Sequence, residues 1–174
     1  MRLFRCSLLL LALIVPTAFA DGLYQVEIIL FRQIGEPAAT RQSSPENWAE
    51  GAQAISAANE LKPALGDLVD KLNASGTYQV LLHRAWQQNL GSEPSKLAIS
   101  SGQPQFGHFP IEGTISLTLA RFTDIAADLW VNQLDVHGVL TSSERMQQTT
   151  RIKNGELTYM DNGSLAMLIK ISPL

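Results

Sequence analysis

The sequence predicts a single α+β domain, with a mainly antiparallel sheet of six or seven strands and one principal helix packed on one face. Three observations lead to this fold class. Strand-like segments outnumber helical ones, one segment has the periodicity of an amphipathic helix, and turn-forming residues separate most of the strands. The chain has 174 residues, which is the length of one domain.

Residues 1–20 have the pattern of a secretory signal peptide. Arg2 and Arg5 form a short basic start, Leu8–Val15 is an unbroken apolar run, and small residues follow at positions 18 and 20. The run is too short for a membrane-spanning helix. We therefore expect cleavage before Asp21, which would leave an exported mature domain of residues 21–174.

Composition argues against several classes of protein. Cys6 is the only cysteine, so the mature chain would have no disulfide and no thiolate chemistry. Without Arg2 and Arg5, 11 basic residues remain against 16 acidic ones, and a net charge of −5 disfavours nucleic acid as a partner. No later segment approaches the apolar length of a membrane span.

The first predicted strand is Leu23–Gln33. It is apolar on both faces around residues 28–31, so we expect it to lie centrally in the sheet. Residues 34–60 carry glycine, prolines, serines and many alanines, and this composition predicts a loop.

The principal helix is predicted over Pro63–Ser75. Proline suits a first helical position, and Gly76 suits the position just past the end. The apolar stripe consists of Leu65, Leu68, Val69 and Leu72. The strand Tyr78–Gln88 follows at once, so helix and strand are expected to pack as neighbours.

A second loop is predicted over residues 89–110, and a clear strand pattern follows it. Residues 111–119 alternate between apolar residues and Glu112, Thr114, Ser116 and Thr118, which predicts one buried face and one solvated face. Residues 125–131 alternate in the same way, and the polar side of that strand carries Asp128 and Trp130.

Asn154-Gly155 is a strong signal for a two-residue hairpin turn. It would join Arg145–Lys153 to Glu156–Met160 and set Arg151 opposite Thr158. Residues 165–172 are predicted to be a last, mostly buried strand.

No motif predicts catalysis, a metal centre or a cofactor. The three histidines, His83, His108 and His137, lie far apart in sequence, and no His-x₃-His or His-Glu pair occurs. No nucleophile elbow is present. Two of the acidic residues, such as Glu112 and Asp124, could meet in the fold as a hydrolytic pair, but nothing in the sequence favours a hydrolase.

A ligand surface is predicted from aromatic residues that share strand faces with polar ones. Trp86 and Trp130 would be stacking platforms for sugar rings. The remaining predicted contacts are hydrogen bonds from His83, Arg84, Gln87 and Asp128, and a carboxylate contact from Arg151. The alternative for Trp130 is that a loop covers it, and the alternative for Arg151 is a solvated edge strand.

Several segments, taken in order, carry a resemblance to a known family. They are YQVEIILFRQ, the helix leading into YQVLLHRAWQQ, the pair GTISLTLARFTDIAADLWV, and GELTYMD with LAMLIKISP. Together they resemble the CsiV-type (cell-shape-integrity) periplasmic peptidoglycan-binding proteins over Tyr24–Pro173. The chain departs from the family pattern at Thr158, where we associate a histidine with the family.

The resemblance implies a non-enzymatic protein that binds peptidoglycan. It also implies support of a bifunctional penicillin-binding protein through its outer-membrane lipoprotein activator. Two other functions stay open from the residues alone. One is a periplasmic adaptor that contacts only proteins through an exposed strand edge such as Arg145–Lys153, and the other is a cell-wall hydrolase.

Overall fold

The computed structural model describes residues 21–35 and 42–174. The predicted signal peptide, residues 1–20, lies outside this part of the chain. The elements are β1 (Gly22–Gln33), β2 (Gln53–Ala54), β3 (Glu60–Leu61), α1 (Gly66–Ala74), β4 (Tyr78–Leu90), β5 (Ser95–Ser101), β6 (Ile111–Leu119), β7 (Thr123–Leu134), β8 (Leu140–Ile152), β9 (Leu157–Asp161) and β10 (Leu165–Pro173).

The strands form two sheets, so the predicted single sheet of six or seven strands is wrong. The first sheet has the order β3-β4-β1-β10-β9, and the second has the order β2-β5-β6-β7-β8. Neighbours pair antiparallel, except that β2 pairs parallel with β5. Part of the difference comes from β2 and β3, which have two residues each and therefore no readable pattern. The protein is mainly β, with one helix in the described residues.

The inner faces of the two sheets bury a common core of aliphatic residues. It includes Val26, Ile28, Leu30, Ile115, Leu117, Ile125, Leu129, Met146, Met167 and Ile169. Burying each such side chain stabilises the fold by roughly 1.5–3 kcal/mol. β1 lies in the middle of its sheet and buries its other face as well, through Ile29 and Phe31, which confirms the predicted central position.

The helix α1 packs on the outer face of the first sheet, as predicted. Its apolar stripe contacts Ile29, Phe31 and Ala166. The helix begins later than predicted, at Gly66, and Glu27 explains how its start is held. The Glu27 carboxylate accepts the backbone N–H groups of Ala64 (2.8 Å) and Leu65 (2.7 Å), which precede the helix.

The predicted hairpin at Asn154-Gly155 is wrong in its pairing. The chain does reverse there, and Gly155 has a positive φ of 86°. However, β8 and β9 belong to different sheets, so Arg151 lies opposite Asp124 of β7 and Thr158 lies opposite Ile169 of β10. The turn signal predicted the reversal, but a two-residue signal carries no information about which strand β9 pairs with.

The predicted solvated face of β6 is partly wrong, because Glu112 is fully buried. One oxygen of its carboxylate lies 2.5 Å from the Ser44 hydroxyl, 2.8 Å from the His108 ring nitrogen Nδ1 and 2.8 Å from the Asn132 side-chain amide. The other oxygen accepts the Phe109 backbone N–H at 2.7 Å. These bonds hold two loops against one end of the outer face of the second sheet, and they compensate for burying a carboxylate.

Candidate ligand-binding cleft

The seven residues predicted to bind a ligand lie on three different surfaces. The outer face of the first sheet carries His83 and Gln87, the space between the sheets carries Arg84 and Trp86, and the outer face of the second sheet carries Asp128, Trp130 and Arg151. The structure therefore does not bring them together into one site. Whether any one of them contacts a ligand stays a prediction.

The prediction that Trp86 is an open stacking platform is wrong, because its side chain has 0% exposure and lies in the core. Its indole N–H donates to the side-chain oxygen of Gln88 at 3.0 Å. Arg84 shares the strand face of Trp86, as predicted, but that face points inward. The Arg84 guanidinium crosses to the second sheet, where it donates to the carbonyl of Ser100 at 2.9 Å. Trp86 and Arg84 can face inward because the indole N–H and the guanidinium each find a hydrogen-bond partner there.

Trp130 lies on the outer face, as predicted, but it is only 3% exposed and is not an open platform. The Arg145 guanidinium lies over its ring at 4.7 Å from the centroid. Arg145 also holds Asp128 through two hydrogen bonds of 2.8 Å. Nearby, the loop residue Ser44 bonds to Glu112, which lies opposite Trp130 on β6. The prediction that Trp130 is an open platform is therefore wrong, and the side chain seen over its ring is Arg145 of the neighbouring strand β8.

Two more of the residues predicted to bind a ligand, His83 and Arg151, form hydrogen bonds with carboxylates of their own chain. The His83 ring nitrogen Nε2 lies 2.7 Å from the buried Glu27 carboxylate, beside the start of α1. Arg151 donates to both oxygens of Asp124 at 2.6 and 2.9 Å. These hydrogen bonds, opposed by some desolvation, hold the pKa of Asp124 below its usual value.

An amide-rich cleft of ≈ 380 Å³ lies beside the segment in which the chain passes from β2 in the second sheet to β3 in the first. We call it the amide cleft. It is lined by Leu23, Gln53, Asn59, Gln87, Gln88, Asn89, Ser95 and Leu97. Its amide side chains come mainly from the end of β4, where Gln87, Gln88 and Asn89 follow one another.

The fold fixes the walls of the amide cleft through backbone and side-chain bonds. The Gln87 backbone N–H donates to the Asn59 carbonyl at 2.7 Å, so the crossing segment is tied to β4. Gln88 donates to the Ser95 carbonyl (2.9 Å) and hydroxyl (2.8 Å), which ties β4 to β5. The cleft therefore has walls from both sheets.

Several amides of the cleft have unused hydrogen-bonding capacity. No described residue bonds to the side chains of Gln53, Asn59 or Asn89, and each such amide offers an acceptor oxygen and two N–H donors. None of the described lining residues is ionisable. This lining can bind hydroxyl, acetamido and peptide groups, and it contains no group for general acid–base catalysis.

A second pocket of ≈ 320 Å³ adjoins the amide cleft and shares Gln53, Asn89 and Ser95 with it. It adds two carboxylates and one ammonium group, from Asp21, Glu93 and Lys96. The cleft and the pocket together form a continuous polar surface whose charged groups lie at one end. In the described part of the chain, no three side chains of the metal-binding types cluster to hold a metal ion.

A shallow groove of ≈ 530 Å³ on the outer face of the second sheet is the other candidate surface. Its lining includes Ser116, Thr118, Ala126 and Thr149, with the Asp124–Arg151 pair at one end. We rank it second because that carboxylate and that guanidinium already bind each other. A charged ligand group would have to displace two charge-assisted hydrogen bonds, whereas the cleft amides need displace only water.

A family model described as "Peptidoglycan-binding protein, CsiV" matches residues 3–62 and 52–174. The chain belongs to the CsiV family. This membership confirms the resemblance seen in the sequence, and the family's description is of a binding protein. Comparison with curated proteins and with solved structures gave no match. Over the residues that the structure describes, no helix has the length and apolarity needed to span a membrane.

Sequence reasoning found only one residue of the amide cleft, Gln87. The run Gln87-Gln88-Asn89 was an available signal, because three consecutive amides at a strand end are unusual in a core strand. Gln53 and Asn59 gave no signal, since they come from a segment predicted to be a loop and reach the cleft only through the crossing between the sheets.

Proposed function

We propose that this CsiV family member is a periplasmic, non-enzymatic accessory protein that binds peptidoglycan in the amide cleft. In this proposal, residues 1–20 are removed on export. The bound protein then supports wall synthesis by a bifunctional penicillin-binding protein and its outer-membrane lipoprotein activator. The family membership and the signal-peptide pattern support this placement.

The observation that carries the proposal is the set of unengaged amides in the cleft. Peptidoglycan presents sugar hydroxyls, acetamido groups and peptide amides, and side-chain amides can donate to and accept from all of these. The charged groups of the adjoining pocket, Lys96 among them, suit the ionised ends of stem peptides. Because the wall is a polymer, several weak contacts per sacculus are sufficient for retention.

Sedimentation with purified insoluble sacculi tests the proposal. The wild-type protein should pellet with sacculi and remain soluble without them. The double variant Gln53→Ala/Asn89→Ala should bind roughly tenfold more weakly, since each lost neutral hydrogen bond is worth about 0.5–1.5 kcal/mol. The matched control is Gln79→Ala, which removes another exposed amide of β4 outside the cleft.

Equal pelleting of all three proteins would remove the cleft from the proposal, and failure of the wild type to pellet would remove peptidoglycan binding itself. The same incubations test the non-enzymatic part. The adjoining pocket contains the carboxylates of Asp21 and Glu93, so released soluble muropeptides should be measured. Release that disappears in Asp21→Asn or Glu93→Gln would show a hydrolase instead.

A further inference from the structure

The pocket that adjoins the amide cleft holds charges of both signs that do not pair with each other. Asp21 and Glu93 each bring a carboxylate to its ≈ 320 Å³, and Lys96 brings an ammonium group. Among the residues that the structure describes, no ion pair joins Lys96 to either carboxylate. Its ammonium donates to the backbone carbonyl of Glu50 at 2.7 Å, which leaves two of its three donors for a ligand.

The position of Asp21 in this pocket is fixed by the strands behind it. Gly22 begins β1 and lies opposite Leu90 at the end of β4. The Asp21 carboxylate lies so close to Gly91 that a Cβ at position 91 would collide with its Oδ1. Gly91 is held in turn, because its carbonyl accepts the Leu119 N–H at 2.7 Å. Residue 21 is therefore a wall of the pocket, tied down by a sheet.

Export would add one more charged group to the pocket. Cleavage before Asp21, which is part of the proposed function, turns the backbone nitrogen of Asp21 into an α-ammonium group. The exported chain would then present two ammonium groups, on Asp21 and Lys96, and two carboxylates, on Asp21 and Glu93. In the uncleaved chain the same nitrogen is an uncharged peptide N–H.

A pocket with this balance of charge suits a ligand that is itself zwitterionic. An ammonium group can only donate hydrogen bonds and a carboxylate can only accept them, so each needs the opposite kind of group opposite it. A ligand of one sign would leave like charges of the pocket facing it, which disfavours binding. In peptidoglycan whose stem peptides contain a diamino acid, the free end of that residue carries an ammonium and a carboxylate on one carbon. Cross-linking turns this ammonium into an amide.

We propose that the pocket binds the free zwitterionic end of the stem-peptide diamino acid. The α-ammonium of Asp21 and the Lys96 ammonium hold its carboxylate, and Glu93 holds its ammonium. This inference rests on the proposed function and names the part of peptidoglycan that is recognised. The adjoining amide cleft holds the neighbouring sugar and peptide groups, so the protein prefers strands of the wall that are not yet cross-linked.

Two soluble muropeptides test the preference. One is a monomer with a free diamino-acid end, and the other is the same monomer with that amine acetylated. Calorimetry measures the affinity of the exported protein for each, after intact mass has verified that the chain begins at Asp21. The acetylated muropeptide should bind roughly tenfold or more weakly, because it loses its charge-assisted hydrogen bonds to the pocket. Equal affinities would overturn the proposal.

Variants of the pocket assign the preference to particular groups. Glu93→Gln should bind the two muropeptides within about threefold of each other, whereas the matched control Glu46→Gln should keep the wild-type preference. Glu46 is an exposed carboxylate that lines neither the pocket nor the cleft. A preference that survives in Glu93→Gln would overturn the assignment of Glu93. Thermal unfolding verifies that both variants fold.

The role of the α-ammonium is tested by extending the chain. One glycine added before Asp21 keeps the charge and moves it by about 3.8 Å. This extended chain should bind the free-ended muropeptide roughly tenfold more weakly, and a chain with one glycine added after Leu174 is the matched control. Unchanged affinity of the chain extended before Asp21 would overturn the role of its α-ammonium.

Pelleting with sacculi separates this inference from the proposed function. A wild-type protein that pellets but shows no preference between the muropeptides would overturn this inference alone and leave the proposed function standing. A wild-type protein that neither pellets nor binds either muropeptide would overturn both.

Discussion

Replacing Glu112 by glutamine tests whether the hydrogen bonds of its buried carboxylate hold the two loops against one end of the second sheet. The substitution keeps the shape and changes one carboxylate oxygen to an NH₂ group. The remaining oxygen can keep its contacts with Ser44, His108 and Asn132. The new NH₂ group then faces the Phe109 N–H, whose nitrogen lies 2.7 Å from the second carboxylate oxygen in the wild type. A hydrogen bond to a charged group is lost and two donors face each other, which should cost about 2 kcal/mol.

Urea denaturation and thermal unfolding measure this cost. For a domain of this size, 1 kcal/mol corresponds to roughly 2–4 °C, so the melting temperature should fall by about 4–8 °C. Glu156→Gln is the matched control, because the Glu156 side chain is 61% exposed and, among the residues that the structure describes, is paired only with Lys153, at 3.3 Å. The control should cost less than about 0.5 kcal/mol. If Glu112→Gln were as stable as the control, the network would contribute nothing, and the argument that it compensates for the buried carboxylate would be refuted.

Three further substitutions or titrations follow from the same structure. Gly113→Ala should destabilise strongly or prevent folding, because its Cβ would lie 2.1 Å from the Asp128 carbonyl at a φ of +145°, and circular dichroism with urea denaturation would show it. Trp86→Ala should cost about 3–5 kcal/mol by urea denaturation, since the indole is fully buried; a cost below about 1 kcal/mol would contradict its place in the core. Desolvation first, and then the hydrogen bond to Asp161, raise the pKa of Tyr159 to about 12. The neutral phenol is therefore favoured in the fold, and its contribution to stability is present below about pH 10 and is lost as the pH rises toward 12. Phenolate absorbance should show a late-titrating group that disappears in Tyr159→Phe, and an unchanged titration in that variant would refute the assignment.

The sequence patterns predicted local structure well where one residue type dominated a face. The doubly apolar segment around Ile28 gave the central strand β1, and the leucine stripe around Leu68 gave the helix and its packing. The patterns could not separate one sheet from two. Alternation reports that one face of a strand is buried, but the same pattern arises whether the covering layer is a helix or a second sheet.

The candidate site was predicted less well, for a physical reason that Trp86 and Trp130 illustrate. Each was placed correctly relative to its strand neighbours, Arg84 and Asp128. The interpretation then assumed that polar neighbours mark the solvent side. In the structure, Arg84 faces inward with hydrogen-bond partners, and Trp130 is covered by Arg145. Long-range partners decide such burial, and they are not readable from local periodicity.

The central claim, that the amide cleft is where peptidoglycan binds, is tested most directly by NMR of side-chain amide groups. Soluble muropeptides would be titrated into the isotope-labelled protein. We predict that the side-chain NH₂ signals of Gln53, Asn59 and Asn89 shift together and saturate, while the signal of Gln79 stays in place. Shifts of backbone amide signals confined to the outer groove around Ala126 and Thr149, or no saturable shift at any side-chain amide of the cleft, would contradict it.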